Sequence, residues 1–323
     1  MCTAISDNHR RHLFGRTLDL ERSYGEELIV TPRAFPLKFK YSSTLSEHFA
    51  MIGIGHVCNG EPLYYDAANE KGLAVAALNF PQSTVYHAAR QDKRNLASFE
   101  LIPLLLGTCE SVREAAELLG KINITPDSFS ASLPASPLHW LVADKSRAVV
   151  LESTSEGLKI YEDPVGVLSN EPPFPYHLSN LANYISLSPE SPENKLCPSA
   201  SIALYSRGMG AIGLPGDLSS ASRFVRAVFA RSHTHCENDE DCISRFFHIM
   251  NSVSQPLGCA ISEDGRPICT LYTSCADTER GIYYFTTYGY RRIRAMSLHK
   301  TDISSSLLTS LSIYSSENIE YLN

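Results

Sequence analysis

Long apolar runs are missing from this 323-residue chain. The longest, Leu101 to Gly107, falls far short of the roughly 20 residues that a membrane-crossing helix needs. Segment 1–15 lacks an apolar stretch of the kind a secretory leader carries. A positive surplus is missing too: 28 Lys and Arg face 35 Asp and Glu, for a formal charge of −7, and no basic stripe stands out. Nucleic acid and anionic membrane surfaces are therefore not expected partners. No motif repeats at 20–50 residues, which excludes solenoids and propellers. A dense, even cysteine framework is also lacking, since the nine cysteines are odd in number and widely scattered. Reduced thiols packing as small apolar residues are expected for at least eight of them, with Cys2 as the exception. With 43% apolar and 20% charged residues, the chain can bury a sizeable core. The expectation is a cytoplasmic protein with a single domain over residues 1–323.

The middle of the chain reads as an antiparallel meander: a strand at 138–143, a turn at 144–147, a return strand at 148–152, then 158–161 and 165–168. Segments 72–78 and 281–286 read as further buried strands. Helices separate these blocks. Ser111-Val-Arg-Glu114 is a capping box ahead of the apolar stripe Ala115, Leu118 and Leu119. Serines open a second helix over 219–231, with Phe224, Ala227 and Val228 on one face. A third is predicted from Ile243 to Val253. The loop from Pro172 to Glu193 is rich in Pro and Ser but has strands on both sides, so it reads as an excursion within the domain. Antiparallel strands interrupted by helix blocks indicate α+β layering.

Cys2 carries the clearest chemistry. An initiator Met ahead of a small residue is commonly trimmed, which leaves Cys2 at the N-terminus. A free α-amine titrates at about 7.7–8.0 and a thiol at about 8.5, so base and nucleophile then sit on one residue. The pair suits attack on an amide carbonyl, a thioester intermediate and its hydrolysis. On position alone an incidental cysteine is the plainer reading.

The neighbouring residues change that. Met1-Cys2-Thr3-Ala4-Ile5 is followed by Phe14-Gly15-Arg16-Thr17-Leu18-Asp19. Tyr64-Tyr65-Asp66-Ala67-Ala68-Asn69-Glu70-Lys71-Gly72-Leu73 runs on to Leu78-Asn79-Phe80-Pro81. Then come Val167-Leu168-Ser169-Asn170-Glu171-Pro172 and Leu214-Pro215-Gly216-Asp217 with Ser222-Arg223-Phe224. These four ordered blocks, in family-like sequence from residue 2 to about 300, resemble the choloylglycine hydrolase family. Its members are conjugated bile acid hydrolases and penicillin V acylases within the N-terminal-nucleophile hydrolases. The resemblance implies an α+β fold, a four-layer αββα sandwich of two antiparallel sheets flanked by helices, and often a homotetramer. It makes Cys2 the nucleophile and its α-amine the base, with Arg16 beside the sulfur and Asp19 accepting hydrogen bonds from the amine. Asn170 and a backbone or side-chain donor of Asn79 form the oxyanion hole, and Arg223 completes the positive field. A surface Arg–Asp pair and a turn asparagine are the plain alternatives for Arg16, Asp19 and Asn170. Glu171 departs from the family pattern, because it sets a carboxylate beside the oxyanion hole.

Asn79 resembles the bile-salt branch, where the acylases tend to carry Tyr. A steroid needs a broad apolar wall with one polar end at the scissile amide. Leu18, Leu20, Tyr24, Tyr65, Phe129, Leu133 and Leu138 are candidate wall residues, each open to an ordinary core role. Arg207 is a candidate partner for the sulfonate or carboxylate of a taurine or glycine conjugate. The implied substrate is thus a conjugated bile acid. A penicillin or an acyl-homoserine lactone is the nearer alternative, and a catalytically silent binder of amphipathic anions the more distant one. No cofactor is implied, since nucleophile, base and oxyanion donors are all protein groups. Gly208-Met-Gly-Ala-Ile-Gly213 has the letters of a dinucleotide fingerprint but no strand before it, and Pro215 would break the receiving helix. His233, His235, Cys236, Cys242 and His248 supply enough ligands for zinc at no standard spacing, and residues 237–241 read as a solvated loop.

Overall fold

The computed structural model describes residues 1–323. Its strands are β1 (Cys2–Asn8), β2 (His12–Leu20), β3 (Glu27–Thr31), β4 (Met51–Cys58), β5 (Glu61–Asn69) and β6 (Ala74–Asn79). They continue with β7 (Arg94–Ala97), β8 (Ile122–Thr125), β9 (Leu138–Ala143), β10 (Ala148–Thr154), β11 (Gly157–Glu162) and β12 (Val167–Leu168). The last five are β13 (Ala260–Ile261), β14 (Pro267–Asp277), β15 (Ile282–Thr287), β16 (Tyr290–Ser297) and β17 (Thr309–Ser312). The α-helices are α1 (Leu101–Thr108), α2 (Val112–Leu119), α3 (Phe174–Asn180), α4 (Ser220–His233) and α5 (Asp239–Asn251). One sheet runs β12-β1-β2-β14-β15-β16, with β13 beside β14, and the other runs β11-β10-β9-β6-β5-β4-β3-β17. The two antiparallel sheets stack with α4 and α5 outside the first and α1 outside the second, and Val112, Ala115 and Leu119 of α2 join the same apolar layer as α1. This is the four-layer αββα sandwich of the α+β class.

Strand alternation sets what each layer receives. On β1, Thr3 and Asp7 face the helices, where Arg223 on α4 bonds Thr3 Oγ1 and Arg245 on α5 bonds Asp7. Cys2, Ala4 and Ser6 consequently face the second sheet. Register pairs Cys2 with Leu18 and Ala4 with Arg16. Arg16 thus points into the space between the sheets, where it bonds the main-chain oxygens of Tyr65 and Ala77. The glycine before Arg16 has a steric cause: a Cβ on Gly15 would strike the Ser274 carbonyl of β14.

Several sequence readings change here. The meander ends at β11, because Val167–Leu168 crosses over to pair with β1 in the other sheet. The Asp163 carboxylate accepts from the Val165 and Gly166 amides at 3.0 and 2.8 Å, and Gly166 adopts φ 61°. That tight turn redirects the chain, at a φ that L side chains resist. The Pro-rich stretch after Glu171 contains α3, entered through Pro173. Half of the capping box forms: Ser111 accepts from Glu114 N at 3.3 Å, whereas the Glu114 carboxylate turns to Glu110 N. The third helix begins four residues before Ile243, capped by Asn238. Its first turn is Asp239-Glu-Asp241, so this acidic run is helix and not loop. Carboxylates are favoured there by the helix dipole. Cys236 and Cys242 form a disulfide, so two of the nine thiols are not reduced and the would-be zinc cluster loses both sulfurs.

Candidate active site

The β1–β2 hairpin carries Cys2, Arg16 and Asp19, all at most 2% exposed. Arg16 Nη2 donates to Cys2 Sγ, while its Nε and Nη1 end on the main-chain oxygens of Thr17, Tyr65 and Ala77. Burial lowers the proton affinity of Arg16, but the neighbouring Cys2, Tyr272, Asp66 and Asp19 outweigh it and hold the guanidinium above its ordinary value. A fixed cation donating to sulfur favours thiolate over thiol.

Arg223, in the first turn of α4, binds the other side of the same residue. Its Nη1 donates to the Cys2 carbonyl and to Thr3 Oγ1, and its Nη2 to Asn170 Oδ1 at 2.8 Å. That Asn170 oxygen also accepts from Cys2 N at 2.6 Å. Asn170 Nδ2 donates to the Asn79 carbonyl at 2.8 Å, which leaves its second N–H free of that bond. Burial lowers the Arg223 guanidinium, against the opposite pull of Asp19 and Cys2.

Asp19 lies on the helix side of β2. Its carboxylate accepts from Thr270 Oγ1 at 2.7 Å and Thr17 Oγ1 at 3.2 Å. Burial pushes it up, while Arg223, the N-terminal ammonium, Thr270 and Arg16 pull it down; burial wins. Met1 is attached in this structure, so Cys2 N is a peptide nitrogen. The Met1 ammonium donates to the Asp19 main-chain oxygen at 2.6 Å, and Asp19 N to the Met1 carbonyl at 3.0 Å. Asn170 Oδ1, not the Asp19 carboxylate, therefore occupies the acceptor position at Cys2 N while Met1 is present.

The cavity of about 510 Å³ that opens beside Cys2 is lined by Cys2, Arg16 and Asn79 together with Leu18, Leu20, Tyr24, Tyr65, Phe129, Leu133 and Leu138. Every apolar wall residue expected from sequence is thus brought together. Arg207 is not: it is exposed in the long segment between α3 and α4 and does not line the cavity. Sequence reasoning missed Ile102 and Trp140, which come from α1 and β9, and the polar residues Glu21, Arg22 and His56. Phe99 packs edge-on against Phe129 at 5.3 Å. Tyr86 fixes the rim, donating to Ser136 O at 2.7 Å and accepting from Leu138 N at 2.9 Å. Glu171 turns its carboxylate to the 82–83 turn, accepting from Gln82 N, Ser83 N and Ser83 Oγ, each at 2.9 Å. Its charge is engaged there, away from the Asn170 amide.

A buried cysteine heading an interior strand of an αββα sandwich, held by an arginine in the wall of a largely apolar cavity, defines an amide hydrolase of the N-terminal-nucleophile type. Residues 2–314 match the linear amide C-N hydrolases of the choloylglycine hydrolase family, and the chain belongs to that family. It is 47% identical over 311 residues to the bile salt hydrolase/transferase of Lactiplantibacillus plantarum, covering 96% of each chain. A crystal structure of a mutant conjugated bile acid hydrolase from Clostridium perfringens superposes with a TM-score of 0.92 at 34% identity, covering 100% of both chains. Penicillin V acylase from Agrobacterium tumefaciens shares the fold, with a TM-score of 0.76 at 20% identity over 98% of this chain and 95% of its own.

Proposed function

We propose that this chain hydrolyses the amide bond between a bile acid and glycine or taurine, with Cys2 as nucleophile once Met1 is removed. The observation that carries the reading is the Cys2 thiol, held by Arg16, in the wall of a mostly apolar cavity of about 510 Å³. Bile salt hydrolases among the relatives support the substrate class.

Removal of Met1 turns Cys2 N into an α-amine that titrates at about 7.7–8.0. The amine takes the thiol proton as Sγ attacks the amide carbonyl, and Arg16 stabilises the thiolate. The tetrahedral oxyanion receives the second Asn170 N–H and a donor from Asn79. Collapse expels glycine or taurine, which takes its proton from the α-ammonium, and leaves a thioester that water hydrolyses with the same amine as base. Arg223 fixes the Cys2 carbonyl and Asn170 Oδ1 throughout. Asp19 offsets the charge of Arg223 and of the ammonium, and with Met1 gone its carboxylate orients the amine. Every group in the cycle belongs to the protein, so the reading requires no cofactor.

A homotetramer in the cytoplasm belongs to the same proposal. Ile185, Leu196, Ile202 and Tyr205 are more than half exposed along one segment, as residues awaiting a partner copy would be. No helix is long and apolar enough to cross a membrane. Light scattering on the eluted protein tests the assembly.

The activity is tested by incubating Met1-free protein with equal concentrations of taurocholate, glycocholate and penicillin V and quantifying all products by mass spectrometry. Cholate release should dominate. Dominant penicillin cleavage would move the chain to the acylase branch despite Asn79.

A further inference from the structure

His177 enters none of the steps above, yet it is fully buried and touches two of the elements that form the site. Its Nε2 lies 2.9 Å from the Asn170 main-chain oxygen and 3.4 Å from Ser169 Oγ. Its ring stacks on Phe224, with centroids 4.8 Å apart and planes 18° apart. Phe224 follows Arg223 on α4. One imidazole therefore joins the main chain of the Asn170 loop to the helix that supplies Arg223. A carbonyl oxygen only accepts, so Nε2 carries the proton, and Nδ1 has no partner. Burial also lowers the proton affinity of the ring, with His139 and Arg223 adding to that effect against Asn170 and Glu152. Geometry and environment agree on a neutral ring that donates from Nε2.

The Asn170 side chain is set by partners from three elements: Cys2 N on β1, Arg223 on α4 and the Asn79 carbonyl on β6. Its main chain belongs to the short loop between β12 and α3. That loop has one further tie to α4, Ser220 Oγ to Ser169 Oγ at 2.9 Å. Losing the imidazole donor frees the backbone that carries the amide while leaving the loop attached at Ser169. Catalytic amides act only when held close to productive geometry, and misplacement by about 1 Å is enough to cost up to 10²-fold.

We propose that His177 is a positioning residue for amide hydrolysis: its Nε2–H anchors the Asn170 backbone and its ring anchors α4, so that the Asn170 amide stays in register with Cys2. This rests on the hydrolase reading above. It is tested with His177→Phe, which keeps a flat ring against Phe224 but has no donor, and His177→Gln, which restores an N–H. With a conjugated bile acid as substrate, His177→Phe should lower kcat about tenfold with KM changed less than twofold, and His177→Gln should recover most of that loss. An unchanged kcat in His177→Phe would overturn the proposal. So would equal kcat losses in both variants accompanied by equal losses of melting temperature, since that is the behaviour of a packing role. Wild-type protein without turnover counts against the hydrolase reading alone. Crystal structures of the two variants then decide the positioning role: Asn170 displaced from Asn79 in His177→Phe and in place in His177→Gln supports it, and Asn170 unmoved in both contradicts it.

Discussion

Strand β1 has a buried charge cluster at each end, and the two are built differently. At the Asn8 end, the Asp7 carboxylate pairs with Arg245 and lies 3.5 Å from Arg231. At the Cys2 end, every hydrogen bond of Arg16 and Arg223 goes to the Cys2 sulfur or to a neutral oxygen. The same hairpin thus holds one cluster whose carboxylate bonds a guanidinium directly, and one where the buried Asp19 and Asp66 lie near the guanidinium groups without bonding them. A buried guanidinium whose hydrogen bonds go to no carboxylate keeps donors available, which suits a place where a negative charge is due to form. A thiolate and then an oxyanion are the charges that the Cys2 end is prepared to receive.

Four substitutions test this contrast. Cys2→Ala removes the nucleophile at the Cys2 end and should reduce hydrolysis to background while the melting temperature stays within a few degrees; turnover above background in the purified variant would refute the assignment. Asp7→Asn attacks the directly paired end and leaves the buried Arg245 and the half-buried Arg231 without their carboxylate. It should cost about 3–5 kcal/mol in urea unfolding while the activity of the folded fraction stays within twofold of wild type. A large activity loss without a stability loss would erase the distinction between the two ends. Asn170→Ala should lower kcat by roughly 10²–10³ if the amide receives the oxyanion, and a change confined to KM would contradict that role.

The smallest effect concerns the pH response near the Asn8 end. Burial pushes Asp163 up to about 7, against the backbone amides that it accepts. Its folded value lies above the unfolded one, so the native state binds the proton more tightly and stability falls as pH rises from about 4 through 7. His12 opposes this over the same range. Burial holds it at about 4, so its contribution is complete above about 6.5 and is lost as pH falls toward 4. Comparing Asp163→Asn with wild type isolates the carboxyl. The variant should gain roughly 1–3 kcal/mol relative to wild type between pH 5 and pH 8. A pH-independent difference would contradict the buried-carboxyl account.

Sequence reading reached the strands at 74–78, 138–143, 148–152, 158–161 and 282–286 because their runs of Val, Ile, Leu, Ala and Tyr stand between clear turns. It did not reach β1 or β2, whose residues are buried on both faces and show no alternation. Leu101–Thr108 reads as an apolar run without period because nearly all of α1 is buried, and prolines mask α3. The site residues Cys2, Arg16, Asp19, Asn79, Asn170 and Arg223 were legible through the ordered blocks, but their convergence depends on the pairing of β1 with β2 and β12 and on the stacking of two sheets. His177 gave no signal, since its role arises from a backbone oxygen and a ring that neighbour it only in the fold. Arg207, within the suggestive loop at 205–208, lies outside the cavity of its own chain.

The central claim is that Cys2, freed of Met1, carries the acyl group. The most direct test is to quench the protein during turnover of taurocholate, digest it and identify the N-terminal peptide by mass spectrometry. A peptide that begins at Cys2 and bears a cholyl thioester is the predicted result. An active preparation that retains Met1, or a cholyl group attached at any other residue, would contradict it.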